Sequence, residues 1–154
     1  IQAFEPNVDA YNKFLKTILK NSFKNVEISN FGLSNINNKV KMITWFKHGI
    51  AKTNSIILEK SHDMRNSKIF EANLRIGDEI INISDKKIVL KIDVEGHELS
   101  VLDGLKSLLN KNKSLILIEI AGEKFEKVNK YLSEKNFRII FKSKHRLDYV
   151  YSNL

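Results

Sequence analysis

The stretch Leu115–Ala121 is almost wholly apolar, broken only by Glu119. A continuous apolar run of this length marks a strand covered on both faces, which is the habit of parallel sheets flanked by helices. Amphipathic helices flank it. His97–Asn110 turns Val101, Leu102, Leu105, Leu108 and Leu109 to one side, and Glu123–Lys135 does the same with Phe125, Val128, Tyr131 and Leu132. Earlier in the chain, Ile1–Phe4 is a short strand closed by Glu5-Pro6, because proline cannot continue the ladder. Asn7 is placed to cap a helix over Val8–Asn21, with Val8, Tyr11, Phe14, Leu15, Ile18 and Leu19 as its apolar stripe. Val26–Asn30 is the next strand. Val40–Phe46, Ser55–Glu59 and Ile69–Leu74 are expected as strands between polar loops at Lys47–Asn54 and Lys60–Ser67, and Arg75–Ile83 as a short helix. Ile88–Val94 is a further strand. Phe137–Phe141 and Leu147–Tyr151 are too close in sequence for a crossover and are expected to pair antiparallel. The alternation predicts an α/β fold with a mostly parallel sheet, helices on both faces and a C-terminal antiparallel hairpin. With 154 residues, one proline and six glycines, a single domain over 1–154 is expected.

Composition removes several function classes. The chain has no cysteine, so it holds neither a disulfide nor a thiolate nucleophile or zinc ligand. No apolar run reaches the roughly 18 residues of a membrane helix. The formal charge of +8 comes from 26 basic and 18 acidic residues, but only four of the basic ones are arginine and the lysines are scattered. Sequence-reading nucleic-acid binders favour arginine at base edges, and single-strand binders interleave aromatics for stacking, so no nucleic-acid partner is expected. The four histidines form no metal-binding spacing, and no resident metal is expected.

In open parallel sheets ligands bind beyond the carboxyl ends of the strands. Glu5, Asp93, Glu95 and Glu119 fall there. A carboxylate ending an early strand suits the two hydroxyls of a ribose. Asp93 and Glu95, two apart, would share a face if the strand continued, and Gly96 then opens a helix. Glu119 is costly inside an apolar strand unless paired, and Lys91 on the neighbouring strand is a candidate partner. Glu98 is expected to point along its helix into solvent. Trp45 is expected as a partly buried core residue, with stacking on a bound ring, together with His48, as the alternative.

Three segments together resemble one family: Ile1–Asn7; Lys91–Glu98 followed by Val101-Leu102-Asp103-Gly104; and Leu115–Ile120. In order and spacing they are similar to the FkbM-type methyltransferases. Asn30–Ser34 resembles that family's turn after its third strand, and Arg75–Ile81 the segment before its acidic strand. The resemblance implies a Rossmann-like class I fold that binds S-adenosylmethionine and methylates a hydroxyl of a sugar, glycan or natural product, in the cytoplasm. It implies that Glu5 holds the ribose hydroxyls, that Phe31 and Gly32 border the adenine, and that Asp93 and Glu95 face the methionine end and the acceptor. Trp45, His48 and Glu119 would line the acceptor side. It also places Ile1 in the family's second strand, with the first strand and glycine-containing loop expected upstream of it. Ala121 departs from the polar residue or histidine common in relatives. The competing expectations are a non-enzymatic α/β binding module using a basic surface, and a fragment of a nicotinamide-dependent oxidoreductase.

Overall fold

Pro6 and Asn7 set the first turn of the structure. β1 (Gln2–Phe4) stops before Pro6, and the Asn7 side chain then accepts hydrogen bonds from the amides of Asp9 (2.9 Å) and Ala10 (3.3 Å), opening helix α1 (Val8–Lys20). The computed structural model describes residues 1–47, 50–56, 67–144 and 147–154. Their contacts divide the chain into two units, Ile1–Arg75 and Ile76–Leu154.

In the first unit, β2 (Glu27–Ser29) runs parallel to β1, with Phe4 opposite Ser29. A second sheet has the order β3-β6-β4-β5, built from β3 (Gly32–Ser34), β4 (Asn38–Lys47), β5 (Ile50–Ile56) and β6 (Ser67–Ile76). β4 pairs antiparallel with both β5 and β6. The core here is Ile18, Met42, Ile43, Ala72 and Leu74. The Asn7 amide nitrogen donates to Thr44 Oγ1 at 3.1 Å within it, so the residue that caps α1 also fastens β4.

Two expectations change in this unit. Of the predicted stripe on α1 only Ile18 is buried, while Val8 (49% exposed), Phe14 (39%) and Leu19 (69%) face solvent. The segment expected as the loop Lys47–Asn54, with a strand from Ser55 on, instead carries β5, laddered from Lys47↔Ile50 to Met42↔Ile56. Its polar Lys52, Thr53 and Asn54 hid it from a hydrophobicity pattern. Backbone pairing against a ten-residue neighbour carries the strand. The expected loop Lys60–Ser67 lies outside the described residues except for Ser67, which begins β6.

In the second unit, helix α2 (Gly77–Ile80) precedes β7 (Lys87–Ile92), which runs parallel to β8 (Lys113–Glu119). β10 (Asp148–Ser152) pairs antiparallel with β8 on one side and with β9 (Arg138–Lys142) on the other, giving the order β7-β8-β10-β9. The expected C-terminal hairpin is therefore present. A mostly parallel sheet is not seen: the described residues make three small sheets, and only β1·β2 and β7·β8 are parallel among the pairings described. The single helix expected over His97–Asn110 is two, α3 (Glu98–Gly104) and α4 (Lys106–Lys111). The break has a cause in α2. Asp78 accepts from the amides of Ser107 (2.7 Å) and Leu108 (2.9 Å), capping α4 from outside the helix. A short 3-10 helix (Gly122–Lys124) leads into α5 (Phe125–Ser133). Leu102, Leu105, Leu109, Ile116, Ile118, Val128, Leu132 and Tyr151 fill the core of this unit.

Candidate functional site

Glu5 follows β1 directly. Its amide donates to the Ser29 carbonyl at 3.0 Å, extending the pairing with β2 by one residue, and the Asn30 side chain donates to the Glu5 carbonyl at 2.9 Å. The carboxylate accepts from the Asn7 amide at 2.8 Å. Burial raises the proton affinity of Glu5 above the ordinary carboxylate range, and the Asn7 hydrogen bond opposes that rise. Phe31 tilts against Phe4 with ring centroids 5.6 Å apart. A side chain at Gly32 would come within 2.9 Å of Leu74 and 3.5 Å of Pro6, so only glycine fits between them without displacement. Glu5, Phe31 and Gly32 are thus brought together around the end of β1. Phe31 also lines a groove of about 470 Å3 with Asn37, Asn38, Lys39, Asn73, Leu74 and Arg75.

Trp45 is half-buried on β4. Thr44 faces Asn7, and neighbouring strand residues point to opposite faces, so Trp45 lies on the face of β4 away from Asn7. His48 lies outside the described residues.

The other acids belong to the second unit and gather where β7 ends. The strand stops at Ile92, and Glu95 and Gly96 follow with positive φ of 49° and 98°. Asp93 and Glu95 therefore do not share a strand face, as they would had the strand continued. A tight left-handed turn presents them instead. Asp93 pairs with Lys91 at 2.8 Å, both largely exposed. Lys91 thus serves Asp93 and not Glu119, which is exposed as the last residue of β8 and needs no buried partner. The proton affinity of Glu95 is raised by burial first, then by the negative charges of Asp93, Glu119 and Glu98. Those three, with Glu95, form one acidic cluster at the carboxyl end of the β7–β8 pair.

One residue of this cluster lies elsewhere than the sequence predicts, and one neighbour of it carried no signal in the sequence. Glu98 does not point into solvent: it is 2% exposed, and its Oε1 accepts from the Gly96 amide at 2.6 Å. Lys124, from the 3-10 helix, donates to the Gly96 carbonyl at 2.6 Å. The spacing Gly96-His97-Glu98, a carboxylate two residues after a left-handed glycine, was the available signal for Glu98. Lys124 had none, since its partner is 28 residues away. His97 has its proton affinity lowered, chiefly by burial and further by Lys124, with Glu98 acting in the opposite direction. Among the described residues no group of three or more His, Asp or Glu side chains is arranged to hold a metal.

A cleft of the second unit lies at the opposite end of the strands. It measures about 770 Å3 and is lined by Lys86, Lys87, Lys111, Lys113 and Lys135 with Asp85 and Glu134. No helix among the described residues is long and apolar enough to cross a membrane.

No curated protein matches the chain. Among solved structures, it is similar in fold to the crystal structure of methyltransferase FkbM from Methylobacillus flagellatus, with a TM-score of 0.64 and 15% sequence identity. The similarity covers 99% of this chain and 36% of that one, so the chain spans about a third of that protein's length. The model of the methyltransferase FkbM domain matches residues 2–139, which includes β1, the Glu95–Gly96 turn and β8. The chain belongs to the methyltransferase FkbM domain family.

Proposed function

We propose that this chain is part of an S-adenosylmethionine-dependent O-methyltransferase, one Rossmann-like class I domain acting in the cytoplasm on a hydroxyl of a sugar, glycan or natural product. The observation that carries the reading is the acidic turn Asp93–Glu98 at the end of β7, in a chain that the family model covers over residues 2–139. The residues at the end of β1, all in the first unit, fit the adenosine half of the cofactor. Glu5 ends a strand with its carboxylate half-buried and only one oxygen committed to the Asn7 amide, as a bidentate acceptor of ribose hydroxyls requires. Phe31 and Gly32, beside it, offer an aromatic face and a close backbone approach for the adenine. Asp93 is assigned to the methionine end.

S-adenosylmethionine supplies an activated methyl group to an attacking oxygen. Positioning of that oxygen provides much of the rate in such a transfer. A hydroxyl is a weak nucleophile, and its proton must leave as the new carbon–oxygen bond forms. Glu95 suits the base role, because burial and three neighbouring carboxylates bring its proton affinity closer to neutral pH. Asp93, steadied by Lys91, orients the hydroxyl or shares the proton. Glu119 extends the acidic lining at the end of β8, and Trp45 and His48 are assigned to acceptor binding from the sequence alone.

The test is transfer of labelled methyl from S-adenosylmethionine to a panel of hydroxylated sugars and glycans by the full-length protein. Asp93→Asn and Glu95→Gln should each lower turnover by about 100-fold or more. Wild-type turnover in both variants would overturn the assignment. One observation favours a second reading: five lysines line the cleft at the amino ends of β7 and β8, which suits an acidic polymer and a binding module.

A further inference from the structure

We propose that Glu98 and Lys124 are positioning residues that grip Gly96 by its amide and its carbonyl, and so preset the carboxylate of Glu95. The proposal rests on the reading of Glu95 as a site residue. Three observations converge on it. First, the turn has two consecutive residues of positive φ, Glu95 and Gly96, and for a glutamate that conformation persists only where the surroundings enforce it. Second, the enforcement is visible on both sides of Gly96. Glu98 Oε1 takes the amide at 2.6 Å, and Lys124 Nζ gives to the carbonyl at 2.6 Å. The φ of Gly96 favours glycine, and a side chain there would have to push the Lys124 ammonium away from the carbonyl it holds.

Third, the grip is costly in a way that ordinary helix starts are not. Glu98 is the first residue of α3, after a His97 cap that makes no side-chain capping hydrogen bond, and a carboxylate at a helix start is ordinarily left in solvent. Here a carboxylate is 2% exposed, and its second oxygen, Oε2, is buried without a hydrogen-bond partner. Such a group persists where something other than stability retains it. Fixing the turn that carries Glu95 is a use that the observed hydrogen bond performs.

Titration of the Glu95 carboxyl by carbon-13 NMR in the full-length protein tests the grip. The charged groups around it are Asp93, Glu119 and Glu98, which raise its proton affinity, with Lys91 engaged by Asp93 and with Lys124 and His97 at the turn. In the wild type Glu95 should titrate above the ordinary carboxylate value of about 4.3. Lys124→Met should bring it down toward that value, because the freed turn lets Glu95 move away from the carboxylates of Asp93, Glu119 and Glu98, and Lys124→Arg should restore the rise. If Lys124 acted only as a nearby cation, its removal would move the titration upward. If it served packing alone, removal would leave the titration unmoved. Either result overturns the proposal. Amide exchange at Gly96 gives a second measurement. Glu98→Ala should speed it by about tenfold or more and Glu98→Gln, which keeps an acceptor, should not. Unchanged exchange in Glu98→Ala would also overturn it. Binding of S-adenosylhomocysteine on the same samples reports separately on the cofactor: its absence in the wild type overturns the proposed function, while the titration and exchange results alone decide the grip.

Discussion

Glu95 stands in a left-handed turn among three other carboxylates, and the raised proton affinity that results has a sign that can be checked against stability. Folding raises its pKa, so the native state holds the proton more tightly than the unfolded chain does. The ionised form is therefore penalised in the native state at neutral pH, and the penalty disappears as pH falls below the unfolded value. Glu95→Gln should melt at a higher temperature than the wild type at pH 7, with the gain shrinking toward pH 4, as measured by thermal unfolding across that range. A stabilising substitution that lowers turnover is the pattern expected where a site is held at some cost to the fold. At this scale the sequence showed the acids but not their arrangement. Asp93, Glu95 and Glu5 were legible because they follow apolar strands. The left-handed turn was not, because it depends on Lys124 reaching Gly96 across 28 residues.

At the scale of elements, local chemistry was legible and remote chemistry was not. The start of α1 followed from Pro6 and Asn7, neighbours of the helix itself. The break between α3 and α4 did not, since its cap is Asp78, whose acceptor oxygens meet amides 29 and 30 residues further on. Asp78→Ala should therefore destabilise the protein by about 1 kcal/mol, the usual cost of losing a helix cap, in chemical denaturation. The polar strand β5 was missed because periodicity reports side-chain burial, whereas β5 is held by its ladder to β4. The exposed stripe of α1 is the converse case. Its 3.6-residue pattern fixed the helix correctly, yet Val8, Phe14 and Leu19 are left facing solvent, because a stripe predicts a helix without supplying the surface that would cover it.

At the scale of the whole molecule, family membership and fold rest on broad agreement. The domain model spans residues 2–139, and the fold is shared with methyltransferase FkbM of M. flagellatus across 99% of this chain. Five of the chain's lysines line the cleft at the amino ends of β7 and β8, while the acidic cluster occupies the carboxyl end of the same pair. Those two ends imply different ligands, and one measurement separates them. Titration calorimetry of the full-length protein with S-adenosylhomocysteine should show saturable binding that moderate salt leaves nearly unchanged, and Glu5→Gln should weaken it by about tenfold. No binding in the wild type, together with salt-dependent retention on an anionic polymer, would contradict the methyltransferase account and assign the chain to the basic cleft instead.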